Sequence, residues 1–128
     1  MKQVQIWIDA DSCPALVRNH TVKIGLQLNL KVYFVANKEI KCDFSNAYQM
    51  IICNQEKDAA DNYIFSNVQE NDLVITRDIV FADRLVEKKI ACINDRGTIF
   101  TTDNIKPLLS TRRSEERLIR SCTSILPL

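Results

Sequence analysis

The chain has 128 residues, 46% of them hydrophobic, and a formal net charge of +1. That length suits one domain, residues 1–128, burying roughly two-thirds of its unfolded surface. The balance excludes a protein that advertises nucleic-acid binding by net charge, and no apolar run reaches the ~20 residues of a membrane span.

The start "MKQVQIW" lacks the small-residue cleavage site of a signal peptide. The five cysteines (Cys13, Cys42, Cys53, Cys92 and Cys122) are widely spaced and form no CxxC pair. They read as reduced, mostly apolar residues rather than a disulfide framework or zinc knuckle. A cytoplasmic protein is expected.

"VQIWI", residues 4–8, predicts a buried strand. Pro14 suits the first turn of a helix, with Ser12 or Cys13 near the cap position. That helix runs from Ala15 to Leu28, with Val17, Thr21, Ile24 and Leu28 on one stripe and Gly25 weakening it late. "LKVYFVA", residues 30–36, and "YQMIIC", residues 48–53, predict the next two strands. "KDAADNYIFSNV" predicts a helix, with Asp58 placed to cap it and Asp61 three residues on, an acidic form of the capping box. "NDLVIT", residues 71–76, is a fourth strand. "RDIVFADRLVEKK" is a helix with Asp78 at its start and Ile79, Ala82, Leu85 and Val86 on one side. "IACIN", residues 90–94, is a fifth strand. "DRG" turns, "TIFT" suggests a short edge strand, and "TDNIKPLL" starts a further helix. From Ser110 a short helix is expected, with a tail from about 114 that frays.

Alternating strands and helices predict an α/β fold of three layers, α/β/α, around a mostly parallel five-stranded sheet. The chain holds two glycines, Gly25 and Gly97, and neither belongs to a GxGxxG or P-loop motif.

The acids follow the strands. Asp9 and Asp11 come after the first, Asp58 and Asp61 after the third, and Asp78 after the fourth. In a parallel sheet all those points lie at the carboxyl rim, where open α/β sheets bind ligands. Clustered carboxylates raise one another's pKa, and hard oxygen donors suit Mg²⁺ or Mn²⁺. Such a centre serves phosphodiester hydrolysis. Asp58 and Asp78 also fit plain helix caps, whereas Asp9 precedes its helix by too much to cap it. His20 stands alone, Trp7 reads as core, and Cys13 has no histidine base. Lys38, Arg77, Arg84 and Arg96 could meet phosphate near the rim. From Lys106 onward, five basic residues stand against two acids, a solvated helix face or a local phosphate patch.

"IWIDADSCP", "VANKEI", "DAADNYI", "NDLVITRDIVFA", "INDRGTIFTTDNI" and "LLSTRR" occur in that order. Together they resemble the YaiI/YqxD family of uncharacterised bacterial proteins over about residues 4–113. The resemblance implies a PIN-like fold, related to nucleases that gather acids at one rim to hold Mg²⁺ or Mn²⁺. It implies Asp9, Asp11, Asp58, Asp61 and Asp78 as metal ligands, with Asp9, Asp11 and Asp78 carrying catalysis. Asn37 and Arg96 would flank the site, and Thr76 would add a hydroxyl beside Asp78. Apart from the resemblance, Lys38, Arg77 and Arg96 are the residues read as meeting substrate phosphate. Three departures stand out. Val80 and Phe81 replace a family proline and leucine, Arg77 occupies a position more often small or polar, and the usual continuation after "TRR" is not recognisable.

Three readings follow. The first is a Mg²⁺- or Mn²⁺-dependent nuclease acting on RNA or DNA. The second is a haloacid-dehalogenase-like phosphatase using the DxD after strand one, with Asp9 as nucleophile and Asp11 as general acid. The third is a non-catalytic module that binds RNA or protein. No membrane partner is expected, and a homodimer stays open.

Overall fold

The computed structural model describes residues 4–40, 48–56 and 58–111. Five strands form one all-parallel sheet: β1 (Gln5–Asp9), β2 (Lys31–Ala36), β3 (Gln49–Ile52), β4 (Leu73–Ile75) and β5 (Ala91–Ile93). Their order is β3-β2-β1-β4-β5. The helices are α1 (Ala15–Leu28), α2 (Ala59–Asn67), α3 (Ile79–Glu87) and α4, residues 102–111. The expected three-layer α/β/α architecture is the one observed. Among the described residues, no helix is long and apolar enough to cross a membrane.

The two-residue alternation of the strands sorts the core into two layers. Ile6, Ile8, Val32, Phe34 and Ile75 pack with Val22 of α1 on one face. Trp7, Val35, Val74 and Cys92 pack on the other with Ile64 of α2, Leu85 of α3 and Ile105 of α4. Trp7 is core as expected, 5% exposed and stacked on Tyr33 at 4.4 Å between ring centroids. Its indole N–H donates to the Asp72 carboxylate at 3.0 Å, and that carboxylate also accepts from the backbone N–H groups of Gln5 and Gln69. Asp72 thereby ties the start of β1 to the start of β4, a role the sequence reading missed.

Local details correct several expectations. Ser12 and Cys13 do not cap α1. Residues Ala10–Ser12 form one 3-10 turn, and extended Pro14 holds the cap position without a side-chain bond. The buried face of α1 is Thr21, Val22 and Gly25, while Leu28 is 63% exposed. Gly25 marks close packing: a Cβ there would lie 2.6 Å from Val32 Cγ2. Asp58 does not cap α2. Its backbone is left-handed (φ 65°), no side-chain cap bond forms, and the acidic capping box is absent. Asp78 does cap α3, its Oδ1 accepting from the N–H groups of Val80 and Phe81 at 3.0 and 3.2 Å. Phe81 is buried and joins the apolar side of α3. "TIFT" makes one antiparallel bridge, Ile99 to Ile93, in place of a strand, after a turn at Gly97 (φ 85°). The tail expected to fray from about 114 lies outside the described residues.

Candidate metal centre at the carboxyl rim

The strand order reverses at β1. The chain steps outward through β2 to β3, then returns to place β4 on the other side of β1. Crossovers leave this seam in opposite directions, and the carboxyl ends of β1 and β4 are where an open α/β sheet of this order binds its ligands. Asp9 is the last residue of β1, and Thr76 follows β4 directly.

Thr76 links the two strands. Its hydroxyl donates to Asp9 Oδ2 at 3.0 Å and accepts from the Asp78 N–H at 3.1 Å. Ser12 Oγ donates to the same Asp9 oxygen at 3.1 Å. Asp9 is 6% exposed. Burial is the main cause that raises its pKa. The two hydroxyls oppose that rise, and the charges of Asp11 and Asp78 add to it.

Beside this pair, Asp58, Asp61 and Asp78 each aim a carboxylate oxygen at one place, all within 4.8 Å of one another. Three local features converge there: the left-handed residue before α2, the first turn of α2, and the cap of α3. Asp61 is buried, and its pKa is pushed up to about 7. Burial is the largest cause, followed by the charges of Asp9, Asp78 and Asp58, and by a hydrogen bond with Asp78. The donor set is three hard carboxylate oxygens, one of them on the buried Asp61. That chemistry fits a divalent cation such as Mg²⁺ or Mn²⁺.

The five acids named from the sequence thus divide. Asp58, Asp61 and Asp78 share one focus. Asp9 adjoins it, held by hydroxyls. Asp11, exposed on the 3-10 turn, accepts from the Asn37 backbone N–H at 2.8 Å and pins the loop after β2.

The basic residues also divide. Lys38 and Arg96 are exposed in the loops after β2 and β5. Arg77 lies 3.6 Å from Asp95. Arg84 turns away from the rim, over the Phe65 ring at 4.3 Å and onto Asn62 Oδ1 at 3.2 Å. Burial pushes the Cys13 thiol up to about 11, which disfavours a thiolate there. Ser12 was the missed neighbour of Asp9. Its signal was its place three residues on, in "DADS".

The model of the family described as "Uncharacterized BCR, YaiI/YqxD family" matches residues 7–124. Three relatives carry the name UPF0178 protein. That of Treponema denticola is 50% identical over 109 residues, covering 85% of this chain and 69% of its own. That of Treponema pallidum is 41% identical, covering 84% and 60%. That of Maridesulfovibrio salexigens is 40% identical, covering 90% and 76%. The chain therefore spans about 60–76% of the length of these relatives. No solved structure matches it. With the family model running through nearly all of its length, the chain belongs to the YaiI/YqxD family.

Proposed function

We propose that this protein is a PIN-like, Mg²⁺- or Mn²⁺-dependent phosphodiesterase acting on RNA or DNA. The observation that carries the reading is the convergence of Asp58, Asp61 and Asp78 within 4.8 Å at the point where the strand order reverses. Asp9, buried beside them, supports it as a further oxygen donor, with Thr76 setting the direction of its carboxyl group. When bound, such a cation supplies Lewis-acid stabilisation of the charge that builds on a phosphate under in-line attack. Burial first, and then the charges of Asp9, Asp78 and Asp58, push the Asp61 pKa up to about 7, so this carboxyl exchanges a proton near neutral pH. Arg77, Lys38 and Arg96 lie in loops after β4, β2 and β5, at the same end of the sheet, where phosphate oxygens would approach. Asp11 shapes the rim by holding the Asn37 loop.

The phosphatase reading has less support. Its nucleophile would be Asp9, whose Oδ2 is occupied by two hydroxyl donors and whose side chain is buried. Its general acid would be Asp11, committed to the Asn37 N–H. The non-catalytic reading predicts nucleic-acid or protein binding that survives loss of the acids.

The test is calorimetric titration of Mn²⁺ and Mg²⁺ into wild type, Asp61→Asn and Asp9→Asn, followed by a Mn²⁺-dependent cleavage assay on single-stranded oligonucleotides. Saturable binding lost in Asp61→Asn, with cleavage lost in parallel, supports the proposal. Silence toward both cations, with and without an oligonucleotide, overturns it.

A further inference from the structure

α2 packs over β1 and β2 and stops short of covering the edge strand β3. An open hollow of about 440 Å³ lies between β3 and α2, within the ~300–1,000 Å³ of small-molecule sites. Ile51 and Cys53 form its floor, packed against the core that α2 covers. Ala59, Asn62, Tyr63, Ser66 and Asn67 form its wall, one stripe of α2. Ala59 and Asn62 directly follow Asp58 and Asp61 in the chain. The hollow therefore starts beside the focus of oxygens and runs ~12 Å along the helix, at ~1.5 Å per residue.

We propose that this hollow receives one base of the nucleic-acid strand whose phosphate meets the acids, with Tyr63 as the stacking face. The inference rests on the phosphodiesterase reading and adds to it what grips the strand. Three observations carry it. First, among the described residues that line the hollow, none is charged. A phosphate, a cation or a charged side chain would find no counter-charge there, whereas a neutral heterocycle needs none. Second, Tyr63 is 37% exposed, and its ring leans on that of Trp7, 6.3 Å between centroids and tilted 54°. The aromatic face is thus set in place before a ligand arrives, and stacking on such a face accepts any base. Third, polar groups on the wall are available. Asn62 Oδ1 accepts from Arg84 at 3.2 Å, which leaves its NH₂ to donate. Asn67 Nδ2 donates to the Tyr63 carbonyl at 2.8 Å, which leaves its Oδ1 to accept. Among the described residues, no hydrogen bond engages the side chains of Asn54 or Ser66. Donors and acceptors side by side are what the edge of a base requires. A single strand is the form that can splay a base into such a hollow.

The test is photo-crosslinking of the full chain, in Mn²⁺, to phosphorothioate-linked single strands that resist cleavage and carry iodouracil at each position in turn, made as RNA and as DNA. Peptide mass spectrometry then locates the link. The expected result is a link to Tyr63 from one position of the strand, and the sugar that gives it identifies the substrate. Fluorescence polarisation on the same strands supplies the affinities. Tyr63→Ala should weaken binding roughly 10–100-fold, and Tyr63→Phe, which keeps the stacking face, by no more than about twofold. Ser66→Trp, which fills the hollow from an exposed position, should weaken it about as much as Tyr63→Ala. Mn²⁺ affinity by calorimetry should stay as in wild type in all three variants. Strand affinity unchanged in Tyr63→Ala and Ser66→Trp, or links only to residues outside the hollow, overturns the base site and leaves the phosphodiesterase reading standing. Failure of the wild type to bind either strand in Mn²⁺ overturns both.

Discussion

Thr76 donates its hydroxyl proton to Asp9 across the β1–β4 seam at 3.0 Å, and the same oxygen accepts the Asp78 N–H at 3.1 Å. One side chain therefore sets the direction of the buried acid and the backbone of half-buried Asp78, which caps α3. Thr76→Val keeps the shape and removes both bonds. The Asp9 carboxylate then loses a donor in a buried place, which costs about 1–3 kcal/mol. Mn²⁺ affinity should fall roughly 10–100-fold, as for other groups that orient ligands. Calorimetry and thermal melts on the same variant measure both. Unchanged affinity would remove Thr76 from the site.

Asp61 makes stability depend on pH. Its folded pKa is about 7, above the ~3.9 of an unfolded aspartate. Between those values the folded protein keeps a proton that the unfolded chain has released. The contribution is thus complete below about pH 4 and is lost as pH rises through 7. Its upper limit is about 4 kcal/mol, at ~1.4 kcal/mol per pH unit. In a chelator, the melting temperature should fall from pH 5 to pH 8, and Asp61→Asn should flatten that slope. Added Mn²⁺ should restore stability most at the high-pH end, where the carboxylate is ionised.

Gly25 meets β2 with no room for a methyl group, since a Cβ would stand 2.6 Å from Val32 Cγ2. Gly25→Ala gains about 1 kcal/mol of helix propensity. Overpacking costs about 1–3 kcal/mol. Net destabilisation is expected in denaturant melts. Val32→Ala should relieve it, so the double variant should be more stable than the sum of the single changes predicts.

Asp72 accepts three hydrogen bonds at the end of the sheet opposite the acids. Asp72→Ala leaves the Trp7 indole N–H and the Gln69 N–H without their acceptor. A loss of about 2–4 kcal/mol is expected from bonds to a charged group. Mn²⁺ binding to the folded fraction should stay as in wild type. A weakened affinity would mean that the two ends of the seam are coupled.

The strands were legible because β-branched and aromatic residues cluster between polar breaks, as in "KVYFVA". The rim position of Asp9, Asp61 and Asp78 followed from parallel topology alone. What the sequence hid was three-dimensional choice. Asp58 has the composition of a cap but takes a left-handed backbone and faces Asp61 and Asp78 instead. Asp11 stands two residues from Asp9, which in a strand-to-turn transition sends it to a different loop. Gly25 read as a weak point in a helix, because only the neighbouring strand reveals what would collide there.

The seam has one more consequence, for how the molecule assembles. Asp9 and Thr76 are 67 residues apart in the chain, so their meeting closes a long loop and belongs late in folding. Pairing of β1 with β2 and β3 involves, of the three focal acids, only a chain that has reached Asp58 and Asp61. Only when β4 docks does Asp78 arrive and the focus of oxygens exist. A ligand that engages all three acids therefore distinguishes the finished molecule from every partly folded one, and draws the chain toward completion by mass action.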